Sequence, residues 1–262
     1  PDAPPVPPTP ILEVPVVTPT PAPATPVAEP TAVPEAPVVV PTQVVEPISP
    51  EFPDQADYDY SFDSGDEGWS TGFADYPANA ETDFYELDGG FRILPTGLNG
   101  GGIYLQGNNH SDDLFMFVTK QISGLKPLTR YQVAAQIELA TNVAGGLIGI
   151  GGSPGASVFV KVGASPTEPT VASNDSGLLE ISVDKGFQQG DGSEMFTIGN
   201  LEHEDVIGDE YRLKTLDNSF SPFTVSSDEN GRAWLIVGTD SGFEGLTAIY
   251  LSHIDYNLTI SK

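Results

Sequence analysis

Residues 58–77, YDYSFDSGDEGWSTGFADYP, hold five carboxylates and six aromatic rings in twenty positions. That mixture can do three kinds of chemistry. Carboxylates spaced along a loop can hold a hard cation such as calcium; rings beside carboxylates and amides can stack on a sugar; two converging carboxylates can hydrolyse a glycoside. An EF-hand loop is excluded. DYDYSFDSGDEG puts Asp57, Asp59 and Ser61 at loop positions 1, 3 and 5, but Phe62 stands at position 6, where the sharp turn needs glycine. The turn DSGDEG crowds Asp63, Asp66 and Glu67 together. These are either separately solvated, as in most charge runs, or bridged by a hard cation. Trp69, Phe73 and Tyr76 are spaced by four and three, which suits neither face of a strand, so at least one ring should leave the core. Phe73 and Tyr76, beside Asp75 and Asn79, are the candidates for a sugar-stacking rim; the competing reading is that both rings cap the open end of a sandwich.

Other constellations are weaker. GGSPG fits the Gly-x-Ser-x-Gly pattern at Ser153, but a nucleophile elbow needs a helix after it, and here Pro154 and the strand-like SVFVKVG follow. Ser241, in GTDSGFEG, has no plausible His-Asp order before it. His110, His203 and His253 have no second histidine at metal-ligand spacing, and there is no cysteine, so thiolate metal sites, disulfides and cysteine nucleophiles are excluded. Which of the 31 acids after residue 53 converge to the ~5–9 Å of a glycosidase pair is not legible in sequence. An extracellular hydrolase with paired carboxylates stays open as the alternative to a binding module, as does a structural or adhesive envelope protein with no small ligand.

The elements that must position these residues divide sharply by composition. Residues 1–53 hold 18 of the 25 prolines, no glycine and no Lys or Arg. Such a segment cannot build a core and is expected as an extended polyproline II or disordered stalk. Residues 54–262 hold every glycine and both tryptophans, and read as strands almost throughout. YDYSFD alternates rings with polar residues at period two, and DFYEL, GIYLQG, DLFMFVTKQI, RYQVAAQIEL, SVFVKVG, RAWLIVG and LTAIYLSHIDYNLTI follow between glycine-rich turns. A dozen short strands over one core imply an all-β, two-sheet sandwich of jelly-roll type.

Charge narrows the partners. Against 10 bases stand 37 acids, a net −27, so nucleic acid and anionic membrane surfaces are poor partners. No run approaches the ~18 apolar residues of a membrane span. The chain starts at Pro1 without a signal-peptide pattern, and the proline-rich, Lys-free leader leads to the expectation of an exported bacterial protein whose upstream part has been removed, an upstream lipid anchor being one form of that expectation. The expected location is the cell surface or the extracellular space.

Three blocks, YSFDSGDEGW, ISGLKPLTRYQVAAQIEL and YLSHIDYNLTI, resemble the first, middle and last strands of calcium-containing jelly-roll carbohydrate-binding modules and galactose-binding-like domains. The intervening stretches SVFVKVGASPTEP, DKGFQQGDGSEMFTIGN and AWLIVGTDSGFEG resemble an uncharacterised family of exported bacterial domains, which lends no activity. The first resemblance implies a glycan ligand, a calcium ion held by Asp63 and Asp255 where first and last strands meet, and Trp69 as a core plug.

Overall fold

The computed structural model describes residues 52–262. The chain divides into Pro1–Ile48 and Ser49–Lys262. The stalk expected over residues 1–53 lies, but for its last two residues, outside the described residues.

The strands are β1 Gln55–Ser61, β2 Ser70–Ala74, β3 Tyr76–Pro77, β4 Asp88–Ile93, β5 Gly101–Asn108, β6 Leu114–Ile122, β7 Arg130–Thr141 and β8 Val158–Ser165. They continue with β9 Val171–Ser173, β10 Leu178–Ile181, β11 Met195–Asn200, β12 Arg212–Asp217, β13 Phe223–Ser226, β14 Ala233–Ser241 and β15 Leu246–Ile260. A single helical turn, α1 Thr82–Tyr85, interrupts them. A seven-stranded sheet runs β12-β7-β15-β5-β4, with β1 on β15 and β13 on β7; a five-stranded sheet runs β11-β8-β14-β6-β2. A short third sheet, β3-β10-β9, shares no ladder with either. The chain crosses between the two main sheets from β1 to β2, β5 to β6, β6 to β7, β7 to β8, β11 to β12, β13 to β14 and β14 to β15, the wiring of a jelly-roll sandwich. The expected all-β sandwich is therefore what forms.

Period-two alternation explains which residues face inward. Tyr131, Val133, Ala135, Ile137 and Leu139 of β7 meet Val158, Val160, Val162 and Ala164 of β8 and Leu235 and Val237 of β14 in one core. Tyr256 on β15 is fully buried, and its hydroxyl donates to the Ile236 carbonyl of the facing sheet at 2.8 Å, so the ring crosses the core without an orphaned polar end. DFYEL, expected as a strand, is the one departure. One helical turn drops Tyr85 into the core and leaves Phe84 outside, and Glu86, in the left-handed conformation, ends it.

The outer face of the five-stranded sheet carries a second apolar cluster. Phe115 and Phe117 of β6, Ile236 of β14 and Met195 of β11 pack with Ile181 and Val183, which belong to the segment that follows and ends β10. Glycine makes room for the two rings. A Cβ on Gly238 would lie 2.7 Å from the Phe115 ring, and one on Gly72 would lie 2.3 Å from that of Phe117. The segment from Ile181 to β11 is thus seated on this face by contacts with rings that only neighbouring glycines allow.

Candidate functional site

The residues singled out in sequence separate on folding. Trp69 is 4% exposed and packs edge-on against Tyr60 and Phe62, as expected of a core plug. Phe73 and Tyr76 are partly buried and pack against the main core, Tyr76 with its ring 5.2 Å from that of Tyr85. Both rings are partly exposed as well as packed on the core. Asn79 is exposed in the turn beyond. Strands β1 and β15 do pair, but their register sets Asp59, not Asp63, opposite Asp255. Asp63 lies four residues further along, on the order of 13 Å away at ~3.3 Å per residue, and a calcium ligand stands at only ~2.3–2.6 Å. One ion cannot take both carboxylates. Asp63 instead accepts a hydrogen bond from Ser61 Oγ at 3.0 Å, and Asp59 contacts His253 Nε2 at 2.8 Å.

Asp75 alone reaches a concentrated site. It sits between β2 and β3 in the left-handed conformation at φ 65°, held by its N–H donating to the Leu179 carbonyl at 2.6 Å. There it meets Asp113, just before β6, and Asp240 of β14; the three carboxylates approach within 4.8 Å of one another. Lys185, from the segment after β10, reaches in among them. Its Nζ donates to Asp240 Oδ2 at 2.8 Å, lies 2.9 Å from Asp75 Oδ2 and 4.0 Å from Asp113 Oδ2. Lys161 of β8, fully buried, donates to the carbonyls of Lys185 and Gly190, each at 2.7 Å, and lies 3.7 Å from Asp240 Oδ2.

Burial and neighbouring charge oppose each other here. Burial raises the Asp113 carboxyl, helped by its hydrogen bond to Asp240 and by that carboxylate's charge; burial likewise raises Asp75. Burial lowers the Lys161 ammonium. For Lys185 burial, the largest influence, works the same way, but Asp240, Asp75 and Asp113 together lift it above the ordinary lysine value. Three carboxylates, two ammonium groups and the proton that Asp113 holds up to about pH 8 make a neutral set. The proton also serves the oxygens of Asp113 and Asp240 that have no hydrogen-bond donor among the described residues.

A pH dependence follows. With its folded value raised from 3.8 to about 8, Asp113 holds a proton in the folded chain that the unfolded chain has released across that interval. More protons bound to the folded state mean that stability falls as pH rises, here from about 4 to about 8. Thermal melting across this range should show the decline, and Asp113→Asn, which cannot titrate, should flatten it. An Asp113→Asn profile with the wild-type slope would assign the dependence to other groups.

Above this set lies a cavity of about 260 Å³, lined by Asp75, Asp113, Glu180, Asp184, Lys185 and Phe187 among others. Its wall is rigidly made. Asp184 accepts from the Ser193 N–H at 2.9 Å, Ser193 Oγ at 2.8 Å and the Gly186 N–H at 3.1 Å, and the Ser193 bonds hold its carboxyl below the usual range. Gln188 Nε2 donates to the Asp112 carbonyl at 3.1 Å, tying the segment to the loop before β6. Phe187, between these anchors, is 63% exposed. On the far side of the same loop Phe84, 58% exposed, stacks on His110 at 4.1 Å.

A second ring group lies on the outer face of the seven-stranded sheet. Tyr250 meets Tyr104 at 4.8 Å and Tyr211 at 5.4 Å, and the Arg92 guanidinium stands 3.9 Å above Tyr104. These rings pack on one another, and Tyr104 retains 6% exposure. The other sequence candidates are structural. Ser153 Oγ accepts from the N–H groups of Gly155 and Ala156 inside a turn, and Ser241, buried at the end of β14, donates to the Phe243 carbonyl.

No protein-family model matches the chain, and no curated protein matches it. Solved structures similar to it include a sugar-binding protein of Bacteroides thetaiotaomicron VPI-5482, described as putative, at 10% identity over 73% of this chain and 88% of that one, TM-score 0.37. Another is the mannan-recognising carbohydrate-binding module TmCBM27, at 11% identity over 78% and 97%, TM-score 0.37. A third is the enzymatically active domain of bacteriophage CBA120 tailspike protein 4, at 10% identity over 73% of this chain but 19% of that one, TM-score 0.32. At these identities and scores the likenesses carry no argument about function, which rests on the chain's own surface. No helix among the described residues is long and apolar enough to cross a membrane.

Proposed function

We propose that the chain is a non-catalytic glycan-binding β-sandwich, carried outside a bacterial cell on its proline-rich leading segment. The observation that carries this reading is Phe187, a ring 63% exposed at the mouth of a cavity of about 260 Å³ lined by carboxylates. A sugar ring presents apolar C–H faces and a rim of hydroxyls; an exposed phenyl takes the one, and carboxylates such as Glu180 and Asp113 take the other. Binding is favoured over cutting by the same geometry. A glycosidase needs two carboxyl groups ~5–9.5 Å apart across an open cleft. Here the carboxylates crowd within 4.8 Å around the Lys185 ammonium, and Asp240 is fully buried.

A glycan array followed by titration of the best ligand tests the proposal. Phe187→Ala should weaken binding about tenfold or more, roughly 1.4 kcal/mol, without moving the melting temperature, because the ring adds little to the core. Phe220→Ala removes a fully exposed ring that does not line this cavity and should leave affinity unchanged. Equal affinity of wild type and Phe187→Ala would refute this site.

A further inference from the structure

We propose that Lys185 and Asp240 become joined by an amide bond from Nζ to Cγ, an intramolecular cross-link between the segment after β10 and the central strand β14. Several observations converge on it. The two groups already touch, with Nζ 2.8 Å from Oδ2, and their side chains are 8% and 0% exposed. Two further carboxyls flank the contact on the sides where protons must move, Asp75 at 2.9 Å from Nζ and Asp113 at 4.0 Å. A second ammonium, Lys161, lies 3.7 Å from Asp240 Oδ2 and draws electron density from the carboxyl under attack. Phe115, whose ring centre lies 5.3 Å from the Lys185 Nζ, belongs to an apolar cluster with Phe117, Val183 and Ile236 that shields one side of the contact.

The chemistry balances without an oxidant or cofactor. Asp75 takes one proton from the Lys185 ammonium, leaving a neutral amine. The amine attacks Cγ of Asp240, and Asp113 passes its proton to an oxygen of that carboxylate as the bond forms. The Nζ–Cγ bond forms, a Cγ–O bond breaks, and the leaving oxygen departs as water with a second proton from nitrogen, relayed through Asp113. With Lys185 and Asp240 side chains 8% and 0% exposed, replacing two buried charges by a neutral amide removes their desolvation cost. After the reaction Asp75, Asp113 and Lys161 remain with one proton, so the buried set is still neutral.

The placement also gives the bond a mechanical role. The residues between β10 and β11 include no strand, yet they seat Val183 beside Ile181, the last residue of β10, on the outer face of the five-stranded sheet and carry Phe187. The chain has no cysteine, so a disulfide cannot fasten this segment. An amide to β14 does.

Intact mass of the denatured full-length chain decides the matter. Wild type should be lighter than its sequence mass by one water, and proteolysis should release a branched peptide joining the Lys185 and Asp240 segments. Lys185→Arg, which keeps the charge but cannot condense in this way, should have its full sequence mass. Asp113→Asn should accumulate uncondensed chain. Wild type at full mass overturns the proposal, as does a water loss that persists in Lys185→Arg, which would report dehydration elsewhere, or a branch through Lys161.

Discussion

Asp240→Ala is expected to destabilise the domain by about 3–5 kcal/mol, the range for removing one partner from a buried ion cluster. Before any condensation the carboxylate is fully buried on β14 and is the carboxylate nearest to both buried lysines, 2.8 Å from Lys185 and 3.7 Å from Lys161. Alanine leaves Lys161 with backbone carbonyls alone as partners and leaves the Lys185 ammonium to Asp75 and Asp113. It also vacates the space against the Phe115 and Ile236 face. Equilibrium urea unfolding checks the size of the effect, with Asp63→Ala as the exposed reference, expected within about 0.5 kcal/mol of wild type. Lys185→Arg separates the contributions, since it preserves the charge and removes the capacity to cross-link. A loss below about 1 kcal/mol for Asp240→Ala would mean that water reaches this cluster.

Trp69→Ala is expected to cost a similar amount, about 3–5 kcal/mol, by opening a cavity in the main core. The indole packs at 5.4 Å from the Tyr60 ring and 6.4 Å from that of Phe62, just after the turn that carries Asp66 and Glu67. Its Nε1 has no hydrogen-bond partner among the described residues, so Trp69→Phe gives up packing volume but no polar contact and should cost markedly less. The same unfolding curves measure both. A near-wild-type Trp69→Ala protein would overturn the packing of β1 against the core.

The fold was legible because period-two alternation with glycine turns leaves few alternatives. YQVAAQIEL, with helix-compatible residue types, is strand β7 because every second residue from Tyr131 to Leu139 is buried. DFYEL misleads because Phe84 and Tyr85 are adjacent rings with opposite fates, which a strand's period-two alternation gives as readily as the helical turn that forms. The pairing of first and last strands was also readable, but its register was not. A shift of four residues decides whether Asp255 meets Asp63 or Asp59, and no side-chain pattern in YDYSFD fixes that shift.

The candidate site was legible only at Asp75. Lys161 in SVFVKVG and Asp240 in VGTDSG look like ordinary polar positions on half-buried strands, since alternation assigns them to the face opposite the core. What sequence could not reveal is that this face is covered. The cover comes from the segment from Ile181 to Phe187, itself polar enough to pass for a loop. The one available sign was the excess of glycine in the strands beside Phe115 and Phe117, because Gly72 and Gly238 have no reason to replace larger residues on a solvated face.

Amide chemical-shift mapping of the full-length chain, titrated with the strongest oligosaccharide from a glycan array, tests the glycan-binding claim most directly. The largest shifts should fall on Asp113 and on residues 180–187, with Phe187 saturating at the ligand's dissociation constant. Absence of any binding glycan, or shifts confined to the outer face of the seven-stranded sheet around Tyr211 and Tyr250, would contradict it.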